Sequence, residues 1–97
     1  MNIAGKMTAD QICQEISGEL EDAARGLSGG MLDPEQFRSL VEELERQKLN
    51  RHGFKLQSQV IGSIVHFSLR FADTNEVCAN MDVNPETGKL VRQKGCR

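Results

Sequence analysis

Residues 44–60 read LERQKLNRHGFKLQSQV, and the spacing of apolar side chains changes inside that stretch. Before it, apolar residues recur every three or four positions; from Phe54 onward they recur every second one. The first period belongs to an amphipathic helix and the second to a half-buried strand. The switch near residue 53 divides the chain into a helical half and a strand half.

Upstream, the spacing predicts a helix over 34–49. Asp33 is placed to cap it, Pro34 fills its first position and Gln36 completes a capping box, with Leu32 and Phe37 set for a hydrophobic staple. Its apolar stripe is Phe37, Leu40, Val41 and Leu44, with Leu49 beyond. Glu42, Glu43 and Glu45 are expected to face water, and Arg46 and Lys48 fall where the helix dipole favours cations. An earlier helix is expected over 8–27, with Ile12, Ile16, Leu20, Ala23, Ala24 and Leu27 on one face and Glu15, Glu19, Glu21 and Asp22 on the other. Thr8 and Gln11 form its capping box, Met7 and Ile12 its staple, and Gly26, Gly29 and Gly30 its stop signals. The connection from Leu27 to Leu32 is short enough for an antiparallel pair.

Downstream, strands are expected over 54–60, 64–72, 76–83 and 90–93, separated by turn signals at Ile61-Gly62, Asp73–Asn75 and Asn84–Gly88. Phe54, Leu56, Ser58 and Val60, then Val65, Phe67, Leu69 and Phe71, then Val77, Ala79, Met81 and Val83 share the core face. The face of the last strand is ambiguous, because Leu90 and Val91 are adjacent. Residues directly opposite each other must share a face, so a loop of Asp73, Thr74 and Asn75 would pair Phe71 with Val77, Leu69 with Ala79 and Phe67 with Met81. Asn75 accepts the left-handed conformation such a loop needs. The same register puts Arg70 opposite Cys78, Ser68 opposite Asn80 and His66 opposite Asp82 on the outer face.

Two helices with one apolar stripe each, followed by a sheet with one apolar face, predict a two-layer α+β fold of order ααββββ. In it the helices pack on one face of a three- to four-stranded antiparallel meander. The 97 residues are enough for one core, hiding about 65% of the unfolded chain's surface, and are read as a single domain over 1–97 with loose ends at 1–6 and 94–97. No apolar run approaches a membrane span and no secretory leader is apparent, so a cytoplasmic protein with no membrane partner is expected.

Net charge is −2, which excludes both a strongly basic nucleic-acid binder and an acidic DNA mimic. The distribution is uneven: residues 1–45 carry ten acids and three bases, whereas 46–97 carry four acids and nine bases. Cys13, Cys78 and Cys96 are widely spaced, without the paired spacing of a zinc or redox site. Cys13 is expected to be a small, partly buried hydrophobe.

The one His–carboxylate constellation is His66 with Asp82, and Cys78 would be the nearest nucleophile or third metal ligand. An open face without a pocket or an oxyanion hole argues against catalysis, so no catalytic residue, metal site or cofactor is assigned. The residues assigned to binding are His66, Arg70, Asp82 and Asn80 on the outer sheet face, with Lys89, Arg92 and Lys94 from the basic C-terminal region. The expected function is a non-enzymatic interaction or regulatory domain that binds another protein, a second copy of itself included. The alternative is a nucleic-acid binder making backbone phosphate contacts from the basic half, ranked second because no Tyr or Trp is present and all four Phe fit core positions.

Overall fold

Both helices begin where their caps dictate. The computed structural model describes residues 8–93 and, at Arg92 and Gln93, the backbone alone. Helix α1 runs Ala9–Ser28 from a reciprocal cap in which Thr8 Oγ1 accepts from the Gln11 amide at 3.2 Å and Gln11 Oε1 accepts from the Thr8 amide at 2.8 Å. Helix α2 runs Pro34–Leu44, with Asp33 and Gln36 exchanging the same two bonds at 2.8 and 3.0 Å. Between the helices, Leu32 closes against Gly26, where an added Cβ would lie 2.9 Å from Leu32 Cδ1. Any side chain at Gly26 would push Leu32 away. The Met7 half of the first staple lies outside the described residues.

The second helical stretch does not stay α-helical to residue 49. Leu44 and the next apolar residue, Leu49, are five positions apart, too far for one α-helical face. Residues Glu45–Leu49 form a π-turn in which the Asn50 amide bonds to the Glu45 carbonyl, and Leu49 ends fully buried. The i→i+5 spacing absorbs the extra residue and returns Leu49 to the core. A 3-10 turn, Asn50–His52, then stops at Gly53, whose φ of 83° is left-handed. Leu40 departs from its expected place in the stripe: it is 47% exposed and borders a groove with Leu20, Ala23 and Leu32 between the helices.

Strands β1 (Phe54–Ile61), β2 (Ile64–Phe71), β3 (Val77–Asn84) and β4 (Lys89–Gln93) form an antiparallel sheet in chain order. Helix α1 packs on β3 and β4, while α2 and the π-turn pack on β1, giving the expected two-layer ααββββ arrangement. Aligned rows Leu56/Leu69/Ala79 and Val65/Val83/Leu90 turn toward the helices, and the Phe37 ring meets Phe67 at 6.1 Å between centroids. The β4 ambiguity resolves through pairing: Leu90 lies opposite Val83 on the core side and Val91 opposite Asp82 on the outer side.

The central pairings of β2 with β3 are those expected, from His66–Asp82 to Leu69–Ala79, but the chain reaches them differently. The loop holds four residues, Ala72–Asn75: the Asn75 amide bonds to the Phe71 carbonyl, and the Phe71 amide to the Glu76 carbonyl, both at 2.9 Å. Asn75 takes the left-handed conformation, with φ of 65°. One extra loop residue would shift every side chain to the wrong face, and a β-bulge between Leu69 and Arg70 removes the error by leaving Cys78 without an opposite residue. Three expectations are corrected as a result. Arg70 faces Val77, Phe71 does not face Val77, and Cys78 is fully buried in the core cluster, not on the outer face. Val77 and Phe71, at the bulged end, are each 37% exposed, and Cys13 is more buried than expected, at 3%.

Candidate functional site

Strand alternation sends Lys55, Gln57, Gln59, His66, Ser68, Arg70, Asn80, Asp82 and Lys89 to the sheet face opposite the helices. Neither helix covers that face. Its middle is a ladder of cross-strand polar pairs. His66 Nδ1 lies 2.6 Å from Asp82 Oδ1, with the two side chains 38% and 21% exposed. One row along, Ser68 Oγ donates to Asn80 Oδ1 at 3.1 Å. At the bulged end, Arg70 Nη1 donates to the Asn75 carbonyl at 2.9 Å, and Arg70 Nε is buried without a hydrogen-bond partner among the described residues. The bulge and the left-handed Asn75 thus position both the arginine and the carbonyl that holds it.

Of the residues assigned to binding from sequence, His66, Asp82, Asn80 and Arg70 come together in this ladder. Lys89 is exposed on the same face, opposite Asn84 at the far end of β4. The Arg92 backbone pairs opposite Met81, a core-face row, while its side chain and all of Lys94 lie outside the described residues. The Cys78 thiol is on the other side of the sheet from His66, so the face brings an acid–base pair together without that nucleophile. Among the described residues, no three His, Cys, Asp or Glu side chains converge as metal ligands.

Sequence reading missed two features. The first is the pairing of Lys55 directly opposite Arg70, fixed by the two-residue turn Gly62-Ser63, in which Gly62 has φ of 61°. The Ile61-Gly62 signal marked that turn, but its length sets which cations meet. The second is a carboxylate clip at each sheet edge. Glu45 Oε2 accepts from the Leu56 amide on β1 at 2.6 Å, and Glu21 Oε2 accepts from the Leu90 amide on β4 at 2.8 Å. Both glutamates were expected to face water. The π-turn carrying Glu45 is tied to α1 by Lys48 Nζ and Glu19 Oε2, 2.7 Å apart, and this hydrogen bond holds the Lys48 ammonium above its ordinary pKa.

Beyond the Glu45 clip, β1 is uncovered. Gln57–Ile61 are exposed, with Val60 at 50% and Ile61 at 54%. A shallow groove follows this edge, from Arg38 and Glu42 on α2 past Ser58 and Gln59 to His66 and Arg70 on the outer face. No protein-family model matches the chain, and neither a curated protein nor a solved structure is significantly similar to it. Among the described residues, no helix is long and apolar enough to cross a membrane.

Proposed function

We propose that this chain is a small non-enzymatic interaction or regulatory domain that binds another protein through its outer sheet face and basic C-terminal region. The supporting observation is the ladder itself: His66–Asp82, Ser68–Asn80 and Arg70–Asn75 are held in fixed geometry on a face that neither helix covers. Side chains already ordered by their neighbours lose little rotamer freedom when a partner docks, so their polar contacts count almost in full toward affinity. Among the described residues the face has no enclosing wall of the kind that small-molecule sites use to bury a ligand. Cytoplasmic location and a homodimeric state belong to the same reading.

The test is affinity capture from native lysate, with and without nuclease, using the unmodified chain and Arg70→Glu as baits. A protein recovered by the first bait, retained after nuclease and lost from the second is the expected result. Equal recovery by both baits removes the face from the account. Recovery that disappears with nuclease transfers the reading to phosphate binding by the basic half.

A further inference from the structure

On the outer face, Lys55 and Arg70 stand directly opposite each other across β1 and β2. Like charges in that position repel. Among the described residues Lys55, Arg70 and Lys89 make no ion pair, and the face's one acid, Asp82, is engaged by His66. Arg70 carries a second mark of incompleteness. Its Nη1 is fixed on the Asn75 carbonyl while Nε is buried with no acceptor among the described residues. A guanidinium–carboxylate hydrogen bond is roughly twice as strong as one between neutral groups, so an incoming acid gains most beside this pair.

The neighbouring edge of β1 is open in the same region. Antiparallel strands alternate between residues bonded to the neighbour and residues whose N–H and C=O point away from it. The Leu56 amide points off the sheet, because it bonds to Glu45 on the helical layer. The same parity turns the amides and carbonyls of Ser58 and Val60 outward, and Gln57–Ile61 carry no charge, no proline and no cover. An uncapped, uncharged edge is what strand addition requires, and natural edges are usually blunted against it.

Resting on the interaction reading above, we propose that Lys55, Arg70 and the open edge of β1 together dock an acidic extended segment of a partner protein. The segment adds to β1 at Ser58 and Val60. Its outward-facing residue opposite Gln57 lies diagonal to Lys55 and brings a carboxylate to that ammonium, with Arg70 one strand further in adding its charge to the attraction. Alternate positions face the helical layer, where Arg38 and Glu42 both line the groove, so the preference for acid is set on the outer face. Charge separates this occupant from the others. A second copy pairing edge to edge would bring only the uncharged Gln57–Ile61 to this edge and no acid to Lys55, and a nucleic acid has no amide ladder to offer.

The test uses fluorescence anisotropy with a labelled peptide of about ten residues, alternating Glu and Thr, and its Gln-for-Glu counterpart. The Glu peptide is expected to bind, and the Gln peptide at least ~10-fold more weakly. Lys55→Gln with Arg70→Gln should remove that preference. Ser58→Pro, which deletes an outward amide and no ladder bond, should abolish binding of both peptides. Equal binding of the two peptides, unchanged binding by Ser58→Pro, or preference for a single-stranded oligonucleotide at the same ionic strength would each overturn the proposal. If the peptides fail while lysate capture still depends on Arg70, the segment is wrong and the interaction reading stands. If capture is also indifferent to Arg70, both fall.

Discussion

At one edge of the sheet, β4 is clipped at its second residue by Glu21. At the other, β1 is eight residues long and clipped at its third by Glu45, after which it runs on uncovered to Ile61. The chemistry of the two clips is the same: a helix carboxylate accepts from an outward strand amide that would otherwise lack a partner. What differs is the setting of the clip. On β1 the Leu56 amide is satisfied from the helical layer, while Ser58 and Val60 beyond it present outward backbone on an uncharged stretch beside the Lys55–Arg70 pair. One device closes a single amide on each edge, and the stretch of β1 left open locates the proposed docking segment.

The comparison can be broken at several points. Leu49→Ala should be the most damaging change, costing about 2–5 kcal/mol in chemical denaturation, because a fully buried side chain is truncated in the turn that carries Glu45. Little loss would mean that the π-turn does not anchor the β1 side. Glu45→Ala and Glu21→Ala should each cost about 1–3 kcal/mol, since each strands a strand amide and removes a charged acceptor. If only one of the two destabilises, the edges are not held alike. Gly88→Ala should cost about 1–2 kcal/mol, because Gly88 is left-handed at φ of 69°. Its new Cβ would also meet Arg25 Nη1 at 2.8 Å, beside the β4 edge. The smallest effect belongs to Ser58→Pro, within about 0.5 kcal/mol, because its amide serves no ladder. A large loss there would show that Ser58 points into the sheet.

Much of this was legible in the residues. The period switch near residue 53, both capping boxes and the Leu69–Ala79 register follow from spacing and parity alone, and the structure has all of them. The bulge was not legible, because a left-handed Asn75 serves a three-residue loop as well as a four-residue one. Cys78, small and weakly polar, is compatible with either face. The π-turn was visible only as an unexplained five-residue step from Leu44 to Leu49. The edge clips were hidden for a physical reason: a glutamate on an amphipathic helix reads as solvated until the strand it reaches has been placed. On the outer face, the His66–Asp82 and Ser68–Asn80 rows were legible, whereas Lys55 opposite Arg70 depends on the length of the Gly62-Ser63 turn.

Residue-resolved amide hydrogen exchange tests the open edge most directly. In the chain alone, Leu56 and Leu90 should exchange slowly behind their glutamates, while Ser58 and Val60 exchange at nearly the rate of unstructured amides. Adding the Glu/Thr peptide should slow Ser58 and Val60 and leave Leu90 unchanged. Slow exchange at Ser58 and Val60 before any peptide is added, or rates there that do not respond to it, would contradict the account.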